Sequence, residues 1–386
     1  MTLWVQHGYG KGQKIAELLS SGSIGGVILS PADEDVSALS STTESLVAQA
    51  VPVLIDPQTY VWSIPGGSAR HHDSHGLEVP GFHWSIPASD TQAVVEAVLQ
   101  VNRNLGVSAI LSPTCIQRGI EDPWTPLALQ LARTTIELKE KDETILVSLV
   151  LDEAALSNWE PIENWLDILT TLSADGFYIA VSRTASYPAT WEPSRLQNLL
   201  RVVYRLSVVN EYRVVLGYSD IDGLASLSAG AEAIASGWYY TLRAFSESKW
   251  GPSSFGRQAN PRVLLATLLS PVVADHEGQD IAASSMSTAV IPDDALRARL
   301  AGTTTWGTAD AWGQHLSELR ALADEIEASG TSTPERAQHL LTRIDSARGH
   351  LQQLRDSGLV LDASYTSFLN SMQSAVAGFL MEENLS

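Results

Sequence analysis

A single cysteine, Cys115, in 386 residues leaves no partner for an internal disulfide and no thiolate set for a cysteine-rich zinc site. No stretch of about 18 uncharged apolar residues occurs, so nothing in the chain reads as a membrane-spanning helix. The N-terminus MTLWVQHGYGKGQK lacks the basic start, apolar middle and small-residue cleavage site of a secretory signal; the expectation is a soluble, cytoplasmic chain with no membrane contact. Basic residues are scarce. With 24 Lys and Arg against 44 Asp and Glu, the formal charge is −20, which argues against nucleic acid as a broad surface contact and leaves room only for a local basic groove. Hydrophobic residues at 44% and charged residues at 18% supply a large core and exclude global disorder.

Short apolar, β-branched runs alternate with longer segments of helical period as far as residue 240 or so. The runs are eight: 3–7, 26–31, 51–57, 109–113, 144–152, 176–182, 213–220 and 231–237. Eight nearly uniform apolar strands joined by helices predict a (β/α)8 TIM-like barrel, with helices expected at 91–105, 126–139, 162–172 and 194–208. An open doubly wound sheet is the competitor, but Gly8-Tyr9-Gly10-Lys11-Gly12 does not have the spacing of a dinucleotide or P-loop glycine motif. Residues 62–89, rich in Gly, Pro, Ser and His, form a long insertion after the third strand and read as a lid. The barrel is assigned to 1–309 and an all-helical C-terminal extension to 310–386, with helices at 312–329, 334–357 and 363–381 around a Gly-Thr-Ser-Thr-Pro break. The segment 238–308 is Ser- and Gly-rich and resists assignment.

In such a barrel the reacting groups gather at the C-terminal ends of the strands. Odd runs end in His7, Asp56, Asp152 with Glu153, and Tyr218-Ser219-Asp220; even runs end in Ser30, Ser112, Ser182 and Ser236. Serines and aspartates there also cap the following helix, and that is the plainer role for the serines. Asp56 and Asp152 are the candidate acid–base pair, because burial and mutual repulsion separate the pKa values of two neighbouring carboxyls; His7 and Asp220 are candidate assistants. Such a pair suits glycosyl-bond cleavage or transfer. Tryptophans Trp62, Trp84, Trp124, Trp159, Trp191 and Trp238 follow strands three, four, five, six and eight and are candidates to stack on a sugar- or nucleoside-like ring, whereas Trp4 and Trp165 belong to the core. Arg183 and Arg243 are candidate anion clamps.

A divalent metal is a further reading, with His71, His72, Asp73 and His75 of the insertion as extra ligands, although no known metal motif is present. Cys115 has no base near it in sequence and reads as a buried small hydrophobe. The segment 214–243, VVLGYSDIDGLASLSAGAEAIASGWYYTLR, resembles the seventh-strand, helix, eighth-strand unit of phosphate- or flavin-binding barrels. Its Tyr240-Thr241-Leu242-Arg243 is similar to the corresponding stretch of tRNA-guanine transglycosylases. The double glycine of the flavin barrels is absent at Gly217-Tyr218, as are the transglycosylase Asp-Ser-Gly-Gly stretch and its cysteine-rich zinc site, so the likeness implies architecture. The sequence therefore predicts a barrel enzyme acting on a small polar ring. The alternatives are a non-catalytic barrel subunit docking a protein partner through 310–386, and a metal-dependent hydrolase.

Overall fold

The computed structural model describes residues 2–8, 13–78, 88–183, 187–251, 260–302 and 305–385. Strands β1 (Leu3–Gln6), β2 (Val27–Leu29), β3 (Val53–Ile55), β4 (Ala109–Leu111), β6 (Thr144–Asp152), β7 (Gly176–Ser182), β8 (Arg213–Leu216) and β9 (Ala233–Ser236) form one parallel sheet, and a two-residue strand β5 (Ile116–Gln117) adds to β6. The order is β3-β2-β1-β9-β8-β7-β6-β4, the cyclic order of a (β/α)8 barrel cut between its third and fourth strands. All eight predicted runs are strands. They are apolar on both faces because one face fills the cylinder and the other carries helices: in β6, Ile145 to Leu151 are buried without a break.

The cut is closed by side chains. β3 and β4 lie with Cα atoms within 8 Å of each other, yet they share no ladder. Instead the Thr59 hydroxyl, in a 3-10 turn at Thr59–Ser63, donates to the Thr114 carbonyl at 2.8 Å and accepts the Thr114 N–H at 2.9 Å. Ser63 Oγ accepts the Ile116 N–H at 3.2 Å on the same line.

Helices α1 (Gln13–Ser20), α2 (Val36–Ala48), α3 (Ala88–Asn104), α4 (Trp124–Leu138), α5 (Trp159–Leu169), α6 (Pro193–Tyr204) and α7 (Gly223–Ser228) connect the strands. After β9 come a hairpin, β10 (Arg262–Leu265) with β11 (Ser270–Val273), and three short helices, α8 (Gln279–Ala283), α9 (Ser287–Val290) and α10 (Asp294–Ala301). The tail holds α11 (Thr308–Ala328), α12 (Thr333–Asp356) and α13 (Ser364–Glu382). The cap of α12 is Ser332: its hydroxyl and the Glu335 carboxylate exchange bonds with each other's backbone N–H groups in a capping box.

α11 packs against α7 and touches β1, which is the place of the eighth barrel helix. α12 covers α7, whose six residues are all buried, and α13 lies along α6. The apolar stripe Tyr365, Phe368, Leu369, Met372, Ala375, Val376 and Phe379 of α13 is therefore buried. It belongs to one hydrophobic core that runs through barrel and tail alike. Among the described residues no helix is long and apolar enough to cross a membrane.

Candidate functional site

The chain leaving β9 builds one wall of a cleft of about 230 Å3 between the barrel and α11. Gly237 opens this wall because a Cβ there would sit 2.6 Å from the Gln6 carbonyl oxygen, so glycine alone lets the chain turn over the end of β1. The Trp238 indole is buried and donates its N–H to His7 Nδ1 at 3.4 Å. Tyr239 meets Trp312 of α11 edge-on, with centroids 4.8 Å apart, and Tyr240 stacks on Tyr187 at 4.7 Å. The Lys14 ammonium lies 4.7 Å from the Trp312 ring centre. Arg243, Asn260, Pro261, Arg262 and Thr308 complete the lining.

Buried polar networks stand behind the wall. Asp220 accepts the Tyr187 hydroxyl at 2.7 Å and His315 Nε2–H at 2.7 Å, and Arg243 in turn donates to the Tyr187 oxygen at 3.1 Å. Burial alone pushes the Asp220 carboxyl up, but His315, Arg243 and the Tyr187 hydroxyl outweigh it and hold it below its ordinary value. Burial and then the charge of Arg243 lower His315, against the opposing pull of Asp220. Tyr187 is pushed well above 10 by burial and by Asp220, and its phenol stays protonated. Beside this network Asp222 accepts Trp191 Nε1–H at 2.7 Å and pairs with Arg183 at 2.9 Å, while the Arg183 guanidinium lies 4.3 Å from the Trp191 ring centre. At the end of β1, His7 Nε2–H donates to Glu34 at 3.1 Å, with both side chains almost fully buried.

A third network fills the barrel axis. Asp56 accepts the Tyr60 hydroxyl at 2.9 Å, the Tyr178 hydroxyl at 3.3 Å and the Gln58 N–H at 3.1 Å. Gln58 donates to the Tyr218 hydroxyl at 2.8 Å, and both residues hold positive φ, +52° and +50°, a strained conformation for residues with a Cβ. Gly217 is required below them, since a Cβ there would lie 2.0 Å from the Tyr178 oxygen. Burial raises Asp56 to about 6 against the opposing pull of Tyr60, Gln58 and Lys249. Phe245 covers Tyr60 and Tyr218 at 5.2 and 5.1 Å, and Trp250 covers Tyr60 at 6.4 Å, so this carboxyl is shut inside the barrel.

The residues nominated from the sequence thus separate. His7 and Asp220 lie directly behind cleft residues, whereas Asp152 caps the turn Glu153–Leu156 through the Ala154 N–H at 2.8 Å and pairs with Arg118 at 3.6 Å. Among the described residues no hydrogen bond, ion pair or shared partner joins Asp56 to Asp152. Of the tryptophans, Trp238 lines the cleft. Trp62 packs edge-on against His72 at 5.3 Å, Trp124 opens α4, Trp159 lies under Arg201 at 3.5 Å, and Trp191 is buried on Asp222. Four aromatic side chains, Trp238, Tyr239, Tyr240 and Trp312, line the cleft. Trp84 falls outside the described residues. Arg243 lines the cleft, and Arg183 is instead held by Asp222.

Sequence reasoning missed Glu34, Tyr187, Arg262, Trp312 and His315. A usable signal existed for the last two, since Trp312 and His315 are three residues apart and share a helix face. Among the described residues no three His, Cys, Asp or Glu side chains are placed to share a metal ion. His72 is buried and His75 bonds the Glu34 carbonyl at 2.8 Å. Cys115 is buried, and that burial raises its thiol pKa far out of the reactive range.

No family model matches the chain, and no curated protein matches it. Among solved structures, the chain is similar to xylanase B from Clostridium stercorarium F9, at 12% identity over 64% of this chain and 89% of that one, with a TM-score of 0.34. It is also similar to a glycosyl hydrolase of the GH3 family from Mycobacterium smegmatis, at 14% identity over 82% and 94% of the two chains, with a TM-score of 0.38. A third similar structure is the carboxyl transferase domain of pyruvate carboxylase from Rhizobium etli with pyruvate, at 9% identity over 100% and 62%, with a TM-score of 0.37.

Proposed function

We propose that the protein is a barrel enzyme that holds a polar, ring-bearing ligand in the cleft between the β9 loop and α11 and acts on a glycosyl bond of that ligand. The observation that carries the reading is the wall itself. Trp238, Tyr239, Tyr240 and Trp312 converge at the C-terminal end of a parallel barrel, where flat rings offer stacking surface to a sugar or a nucleobase. Asp220 is the proton-handling carboxylate of the reading: it is ionised, oriented by His315, and hydrogen-bonded to a phenol next to the cleft. His7 orients Trp238 and is itself oriented by Glu34. Tryptophan fluorescence with a panel of aryl glycosides and nucleosides, followed by turnover of whichever bind, tests this. Trp312→Ala should weaken binding by about tenfold or more, as expected for the loss of one stacking face. Asp220→Asn should bind normally and lose at least about 100-fold in kcat. A folded Asp220→Asn protein with full turnover overturns the enzymatic assignment.

One observation favours a second reading. No carboxylate is present among the described side chains that line the cleft. In that reading the chain binds its ligand without turning it over, as the barrel subunit of a complex that engages its partner through 310–386. Binding that depends on Trp312, with no turnover of any bound ligand, selects it.

A further inference from the structure

We propose that the cleft selects an anionic ligand, in which a carboxylate or phosphate attached to the ring is held between Arg243 and Arg262. The inference rests on the ring-binding reading of the same cleft and adds the charge of what enters it. It starts from an imbalance. In a chain with 44 acids and 24 bases, arginines find carboxylates easily: Arg118 pairs with Glu247, Arg183 with Asp222, Arg201 with Glu383 and Arg213 with Glu232. The two arginines that line the cleft do not, a trait they share with Arg336 and Arg355, whose hydrogen bonds also go to neutral groups. Among the described residues no carboxylate oxygen comes within 4.0 Å of either cleft guanidinium, although Arg243 is only 3% exposed.

Their partners are neutral. Arg243 donates to the carbonyls of Gly237 at 2.8 Å and Trp238 at 3.4 Å and to the Tyr187 hydroxyl at 3.1 Å. Arg262 donates to the Pro271 carbonyl and to the Tyr365 hydroxyl, both at 2.8 Å. On each side the next carboxylate stands one phenol further away. Tyr187 donates to Asp220 at 2.7 Å, and Tyr365 donates to Glu277 at 2.5 Å. The same arginine–tyrosine–carboxylate arrangement therefore occurs twice, on elements far apart in sequence, around one cavity.

Each phenol acts as a spacer. It fixes the guanidinium through a hydrogen bond while keeping the neutralising acid out of contact, so N–H groups and positive charge remain for a guest. A guanidinium with no carboxylate in contact keeps N–H groups to offer, and a ligand anion takes them up in charge-assisted bonds. A cationic guest is disfavoured by the same geometry, because the Lys14 ammonium already sits 4.7, 5.7 and 5.8 Å from the ring centres of Trp312, Tyr239 and Trp238.

Calorimetry on the full chain with matched pairs tests the inference: glucuronate and glucose 6-phosphate against glucose, and uridine 5′-monophosphate against uridine. The carboxylate and phosphate arms separate the two sources of the anion. The expected result is that in at least one pair the charged member binds at least about tenfold tighter. That advantage, read as the ratio of charged to neutral affinity within each protein, should shrink as salt rises and fall to about one in Arg262→Gln. Arg262→Lys, which keeps the charge but loses the fork, should recover part of it. Equal binding of charged and neutral members, unaltered by Arg262→Gln, overturns the inference while the ring-binding reading survives. Binding of no member overturns both.

Discussion

Asp56 is a carboxyl that the barrel encloses, and its titration reports that enclosure. Burial lifts it from its ordinary 3.8 to about 6, and the Tyr60 hydroxyl, the Gln58 N–H and Lys249 only partly oppose the rise. The folded state therefore favours the protonated form. The corresponding stability is fully present below about pH 4 and is lost as pH rises through about 6, a change of roughly 3 kcal/mol at 1.36 kcal/mol per pH unit. Asp56→Asn keeps the shape and removes the titration. Urea midpoints for the wild type and Asp56→Asn at pH 4.5 and 7.5 should show the wild type losing ground to the variant at the higher pH. A gap that stays constant across that interval would refute the buried, shifted carboxyl. The position of Asp56 at a strand end was legible from the uninterrupted apolar run before it. Its enclosure was not, because Phe245 and Trp250 close over it from a segment whose path back across the mouth leaves no periodic trace.

The seam between β3 and β4 shows how short elements complete a cylinder. Each strand has three residues, and two hydroxyls replace the ladder between them. Thr59→Val is nearly isosteric and removes both bonds to Thr114, leaving a buried N–H and a buried carbonyl without their partner. The expected loss is about 1–3 kcal/mol by urea denaturation, together with faster hydrogen exchange at the Thr114 amide. Unchanged midpoint and exchange would show that the seam is held by packing alone. The eight strands and the three tail helices could be read from the sequence because each carries a long enough apolar period or run. The region 238–308 could not. Its helices α8, α9 and α10 have five, four and eight residues, and its hairpin reverses through Leu269 at φ +45°, where no glycine advertises the turn. The candidate site divides along the same line. Trp238, Arg243 and Asp220 sit at or just beyond strand ends and were found by counting strands. Arg262, Trp312 and His315 come from elements whose docking on the barrel is a tertiary fact.

At the scale of the molecule, the tail is where the barrel is completed. A detachable extension would leave seven helices and a finished barrel behind, but α11 occupies the eighth helical place between α7 and β1, and α12 lies over α7. α6 would lose Phe379 from its Tyr204 side and the Glu383 carboxylate from Arg201 and Arg205. A chain ending at residue 306 would thus expose the fully buried α7, the apolar face of α6 and the unpaired Arg201 guanidinium together. Each of these losses falls in the class of large destabilisations, and the acidic surface offers nothing to cover the patch. The truncated chain should therefore bind a hydrophobic dye, lack a cooperative thermal transition and aggregate, while a chain ending at 385 melts as one unit. Ring binding should vanish with it, since Trp312 and His315 leave too. A soluble 1–306 chain that melts cooperatively near the full-length temperature would show instead that the barrel stands alone. Loss of binding in that chain would then isolate the contribution of α11 to the cleft from its contribution to the fold.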